Sequence, residues 1–194
     1  MLTLNNKYTH PSSVVNEIAR DDLVGINVML INMPIREQAK PNNAPLGLAL
    51  LASRLLEYDV NVVIVDLNAY RIKDEKALKR GMSNGRVLTE EETDKLIKDH
   101  IDHYGNQDLI AMSGLITTLT WQKKVAKIIM KYQPDTMLAS GGGLATEFRE
   151  VLFDWIPELN AVAHSEGDDV IIKMALDSKL LRANGKTNYN KLKP

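Results

Sequence analysis

The sequence has 194 residues, 44% apolar and 25% charged, which suits one globular domain that buries a core without covalent staples. A formal net charge of -1 gives no support for a nucleic-acid partner. The absence of cysteine excludes disulfides, thiolate zinc sites, cysteine nucleophiles and an iron–sulfur cluster held by these residues.

Residues 1–24 read as a peripheral arm, with a short helical pattern from Pro11 through Val14, Val15 and Ile18 that Ser12 or Ser13 would cap. The start Met1–Lys7 lacks the apolar core of a secretory signal, and no apolar run reaches membrane-span length. A cytoplasmic protein without membrane contact is therefore expected. Ile26–Ile31 is a short apolar run rich in β-branched residues, as a strand covered on both faces should be. Pro34 ends it, and the polar stretch from Ile35 to Ala44 makes an unusually long strand-to-helix loop. Pro45 fits a helix first turn. The helix Leu46–Tyr58 is apolar nearly all round, through Leu46, Leu50, Leu51 and Leu55, and is expected to be well buried.

Further strands are predicted at Val60–Asp66, Leu109–Ser113, Thr136–Ser140 and, more weakly, Ala161–His164. Helices are predicted at Leu119–Tyr132, Leu144–Trp155 and Asp169–Leu176. Leu144, Phe148 and Leu152, four residues apart, would share one face of theirs. Such alternation implies parallel strands joined by right-handed crossovers. The expected fold is a flavodoxin-like (Rossmann-like), doubly wound, five-stranded parallel sheet with helices on both faces, spanning residues 25–181. Residues 70–108 exceed a simple crossover and read as a helical insertion: Gly81, Asn84 and Gly85 form a turn, and Thr89-Glu90-Glu91-Glu92 is a capping box opening a helix to about Tyr104. Residues 182–194 are polar and basic, as in a tail or a linker to a further domain.

In such a sheet, ligands bind outside the carboxyl ends of the strands. The segments expected there are the loop 34–45, Ser113-Gly114-Leu115-Ile116-Thr117-Thr118, Ser140-Gly141-Gly142-Gly143 and Glu166-Gly167-Asp168. Glycines admit a ligand close to the backbone, and the hydroxyls of Ser113, Thr117 and Thr118 offer donors near a helix start. The same glycines also serve ordinary turns, and Ser113 or Thr118 also serves as a helix cap. His100 and His103 share a helix face but lack a defined third metal ligand, so a solvated face is the plainer reading. Lys123, Lys124 and Lys127 suit a wet helix face, and Trp121 and Trp155 suit packing. Asn32-Met33-Pro34 follows the first strand in place of a glycine fingerprint, which argues against a dinucleotide site.

Four ordered segments resemble the N-terminal cobalamin-binding domain of radical S-adenosylmethionine enzymes. Pro45–Ala52 followed by Val60–Asp66 is similar to that family's PPLGLAYLAA helix and VEVVD strand. Ser113-Gly114-Leu115 resembles its S-x-L element, Gly141–Thr146 its GGPHAT, and Ser165–Asp168 its GEGE. The resemblance implies a corrin over the carboxyl edge. Its nucleotide tail would lie near Ser113, Gly114, Leu115, Thr117, Thr118, Gly141, Gly142, Gly143, Glu166 and Gly167. The sequence departs from the D-x-H-x-x-G motif of mutases and methionine synthase: no histidine lies between Asn32 and Pro45, so a bound cobalamin would lack that cobalt ligand. The 4Fe-4S cluster and S-adenosylmethionine would belong to a C-terminal radical domain in cis, and this chain alone would not be catalytic. Two alternatives stand beside it: a scaffold that docks a partner with the same edge, and a flavin- or nucleotide-binding flavodoxin-like protein. The low aromatic content, 5%, makes a flavin sandwich less attractive.

Overall fold

The computed structural model describes residues 17–35 and 44–183, with side chains through Leu180. The helical pattern expected at 11–18 falls mostly outside these residues. So do most of the loop expected at 35–44 and nearly all of the tail expected at 182–194. Five strands, β1 (Asn27–Asn32), β2 (Asn61–Asp66), β3 (Leu109–Ser113), β4 (Met137–Gly141) and β5 (Ala161–Val162), form one parallel sheet in the order β2-β1-β3-β4-β5. This is the expected flavodoxin-like α/β topology.

Strand side chains alternate between two cores. On one face Val28, Leu30, Leu109, Met137 and Ala139 meet α1 (Leu46–Leu56) and α7 (Asp168–Ala183). On the other, Met29, Ile31, Ile110, Met112 and Leu138 meet α3 (Glu90–Tyr104), α4 (Leu119–Tyr132), α5 (Gly142–Phe148) and α6 (Val151–Trp155). Each fully buried leucine on these faces stabilises the fold by about 1.5–3 kcal/mol. The stretch between β2 and β3 holds α2 (Glu75–Lys79) as well as α3. The capping box that starts α3 forms as its sequence demands: Glu92 N–H donates to Thr89 Oγ1 and Thr89 N–H to Glu92 Oε2. Arg86 links the two helices through ion pairs to Asp74, the N-cap of α2, and to Glu92.

Five elements differ from expectation. Leu46 is 70% exposed and Leu50 56% exposed, because α1 meets the sheet only along Leu48, Ala52 and Leu55. The helix expected over Leu144–Trp155 is broken into α5 and α6 at Arg149, whose φ of 46° no α-helix tolerates. Leu144 and Leu152 still reach the core across that break, with Phe148 packed against it. The fifth strand is only Ala161–Val162, and the last helix runs to Ala183. Within the stretch read as a peripheral arm, Arg20–Asp22 form a 3₁₀ turn and Leu23 is fully buried. The tryptophans pack against the second core, Lys124 pairs with Glu90, and His100 Nδ1 lies 2.8 Å from the Leu96 carbonyl within α3.

Candidate functional site

The loops after β3 and β4 close against each other at the carboxyl edge. The Leu144 N–H donates to the Gly114 carbonyl at 3.0 Å, and the Met33 N–H donates to the Ser113 carbonyl at 3.2 Å. Gly142 is where this closure needs a glycine. Its φ is +80°, and a Cβ there would lie 2.9 Å from Ser113 Oγ and 3.1 Å from the Gly114 carbonyl oxygen. The turns at 113–118 and 140–146 therefore form one structure at one end of the sheet.

Beside that closure, on the face covered by α1 and α7, lies a cavity of about 220 Å³. Its floor follows from residue size along the strands. Along that face the residues run Leu109, Ala111, Ser113 on β3 and Met137, Ala139, Gly141 on β4, with Ala161 and then Ala163 along and beyond β5; Ala111, Ser113, Ala139, Gly141 and Ala163 line the slot. Each series shrinks or stays small toward the carboxyl end, so the helices cannot close on the sheet there and a slot remains. Leu48 and Leu51 of α1 and Ile171 and Met174 of α7 line it.

The two helices touch beside the slot. A Cβ on Gly167 would lie 3.2 Å from Leu51 Cδ2, and Arg54 Nη2 is 3.5 Å from Asp169 Oδ1. Gly47 stands one turn before Leu51 on the same helical stripe. It lines the slot, and a Cβ built on it meets no heavy atom within 4 Å. The missing side chain at Gly47 thus leaves the mouth of the slot open.

Of the residues singled out from the sequence, Ser113, Gly141, Gly142 and Gly167 line the slot. Leu115 is 51% exposed above the edge, Thr117 and Glu166 are exposed, and Gly143 sits under Leu115, whose Cδ2 a Cβ would approach to 3.0 Å. Thr118 is fully buried and its hydroxyl donates to the Leu115 carbonyl at 2.7 Å, so it shapes the turn and has no donor left for a ligand. Gly114 is held against it: a Cβ there would lie 2.1 Å from Thr118 Oγ1. The sequence reading missed Gly47, Ala111, Ala139, Ala163 and the walls of α1 and α7. The alternate-residue shrinkage along the strands was the signal available for the floor.

Two polar features frame the site. At the carboxyl ends of β1 and β2, Asn32 Nδ2 donates to Asp66 Oδ1 at 2.7 Å, and Asn68 Oδ1 accepts from the Ile35 N–H and from Arg71 Nη2. Burial lowers the Arg71 pKa, against the opposing charge of Asp66. At the mouth, Ser165 adopts φ 67°, and its N–H donates to Thr146 Oγ1 of α5 at 3.1 Å, joining the loop before α7 to the loop after β4. Among the described residues there is no group of three or more histidine, aspartate or glutamate side chains placed to hold a metal ion. Among the same residues no helix is long and apolar enough to cross a membrane.

No family model matches the chain, and no curated protein matches it. Solved structures similar in fold include two of TsrM, a radical S-adenosylmethionine methyltransferase from Kitasatospora setae. The one with tryptophan substrate and the analogue aza-SAM bound has a TM-score of 0.56, is 14% identical, and matches 82% of this chain and 26% of that one. The one with cobalamin and a 4Fe-4S cluster bound has a TM-score of 0.54, is 14% identical, and matches 82% of this chain and 25% of that one. This chain thus spans about a quarter of the length of the structures it matches, and at this identity the likeness is one of fold.

Proposed function

We propose that this chain is a cobalamin-binding module that presents its cofactor at the carboxyl edge of the sheet to a radical S-adenosylmethionine domain in the same cytoplasmic polypeptide. The observation that carries the reading is the apolar slot over Ala111, Ala139 and Gly141. An apolar cavity of roughly 150 Å³ accepts a benzene ring. A slot of about 220 Å³ therefore suits a fused bicyclic base, such as the one that ends the nucleotide tail of cobalamin. The four ordered segments similar to the cobalamin-binding domain, and the fold shared with a protein solved with cobalamin bound, point the same way.

Cobalamin, when bound, would supply a cobalt centre able to carry a methyl group. The residues of this chain do the holding. Leu48, Leu51, Ile171 and Met174 exclude water from the base. Gly141, Gly142 and Gly167 admit it close to the backbone, and Ser113 offers a hydroxyl at the rim. Leu115, Thr117 and Glu166, exposed on the same edge, would contact the tail outside the slot, while Gly114, Thr118 and Gly143 hold that turn in shape. No axial histidine is assigned. The iron–sulfur cluster and S-adenosylmethionine are assigned to the C-terminal domain, because a cluster needs thiolates and these residues have none.

The test is to mix the purified chain with hydroxocobalamin, pass it through gel filtration and record the visible spectrum of the protein peak. Co-eluting corrin absorbance is expected. Its absence under both oxidising and reducing conditions overturns the reading. The exposed Leu46 and Leu50 favour a second reading, a scaffold whose edge docks another domain. Under that reading Leu46→Glu with Leu50→Glu abolishes docking, and the wild-type chain retains no corrin.

A further inference from the structure

The outer face of α1 carries an uncharged row. Leu46, Ala49, Ser53 and Leu56 recur at i, i+3, i+7 and i+10, so they align along the helix, and all four are exposed. Leu46 is 70% exposed and Leu56 57%, and Leu50 stands exposed beside the row. The outward faces of α3 and α4 are charged instead: Lys95 pairs with Asp99 and Lys98 with Asp102 on α3, and Lys127 and Lys131 are exposed on α4. An exposed apolar row of this kind marks a contact surface. It offers only a few hundred Å², against about 800 Å² per partner in a standard interface between proteins. A short segment tethered beside it fits that area better than a second copy does.

Residues 1–16 enter at one end of this row. Arg20 Nε donates to the Glu57 carbonyl at 2.6 Å and pairs with Asp59 at 3.1 Å, just past the carboxyl end of α1. Ile18 packs against the core that holds Leu23, Leu55 and Val60. In the sequence, Pro11, Val14, Val15 and Ile18 fall at i, i+3, i+4 and i+7, with Ser12, Ser13, Asn16 and Glu17 between them. Two apolar rows of helical spacing therefore meet at Ile18, one of them already held at the foot of the other.

We propose that the outer face of α1 is the docking site for residues 11–16 of this same chain, with Val14 and Val15 against Ala49, Ser53 and Leu56. The inference goes beyond cofactor binding and does not depend on it. Counted back from Ile18 at helical rise, Val14 and Val15 lie about 5 Å further along α1, which is about 16 Å long, so the tether sets the register.

The experiment is a double-mutant cycle on the full chain, read by thermal unfolding and by methyl NOEs. Val14→Ser with Val15→Ser is expected to lower the melting temperature by about 3–6 °C; serine and valine have similar helix propensities, so the drop reports lost contact. In a Leu46→Ser, Leu56→Ser background the same pair is expected to cost less than about 1 °C more. Leu50 is left unchanged throughout because it lines the slot. NOEs from the Val14 and Val15 methyls to those of Ala49 and Leu56 are expected, unchanged on dilution. Additive losses in the cycle, or the absence of these NOEs, overturn the inference. NOEs that fade on dilution assign the face to a second copy and overturn it as well.

Discussion

Gly47→Leu separates the slot from the stability of the fold. Gly47 is the second residue of α1, lines the slot, and has no heavy atom within 4 Å of where its Cβ would be. Replacing a helical glycine by leucine removes backbone freedom from the unfolded chain and is worth about 0.5–1 kcal/mol. For a chain of this size that corresponds to a melting temperature higher by about 1–4 °C. The new side chain stands one turn before Leu51 and fills the gap between α1 and α7. A ligand base must then displace it or overpack beside it, at a cost of about 1–3 kcal/mol, or roughly ten- to hundredfold in affinity. Thermal unfolding by circular dichroism and equilibrium dialysis with hydroxocobalamin read the two effects on one sample. A variant that melts several degrees lower, or one that binds hydroxocobalamin like the wild type, would refute the placement of the ligand between these helices.

Other positions give contrasting signs. Gly114→Ala places a Cβ 2.1 Å from the buried Thr118 Oγ1 and 3.1 Å from Gln122 Nε2, so urea unfolding should show a loss of about 1–3 kcal/mol, whereas Gly47→Ala should show none. Arg149→Gly should raise the melting temperature, because φ 46° with ψ -126° is a conformation that only glycine adopts without strain, worth about 1 kcal/mol or more. Arg86, with help from the Thr89 N–H, holds the Glu92 carboxyl down at about 2, against an ordinary value of 4.5. A carboxylate depressed in the folded state contributes in full above its unfolded pKa, and that contribution is lost as the pH falls from 4.5 toward about 2. With the Glu92 side chain 36% exposed, screening leaves about 1 kcal/mol. Arg86→Met should remove that amount near neutrality, and its urea midpoint should fall less steeply across the acid window than that of the wild type.

Hydrophobic runs bounded by glycine, proline and polar residues were enough to locate all five strands to within a residue or two, because strands buried on both faces leave few other uses for such runs. The capping box at Thr89 was equally legible, since its two hydrogen bonds lie within four consecutive residues. The loops at the carboxyl edge were legible as a group, because parallel order alone sends them to one end of the sheet. What each of their residues does there was not. Thr118 reads as a ligand donor until the fold turns it inward, and Gly143 reads as floor until Leu115 covers it. The break at Arg149 is invisible in a pattern that continues through Leu144, Phe148 and Leu152. Leu46 and Leu50 look buried by composition, yet one sheet face offers α1 a single stripe of contact. The shrinking floor of the slot can be read along the strands, but its enclosure belongs to tertiary structure. Its walls come from helices near opposite ends of the sequence, and they become neighbours only because the sheet order β2-β1-β3-β4-β5 sets α1 and α7 side by side over strands whose side chains have shrunk.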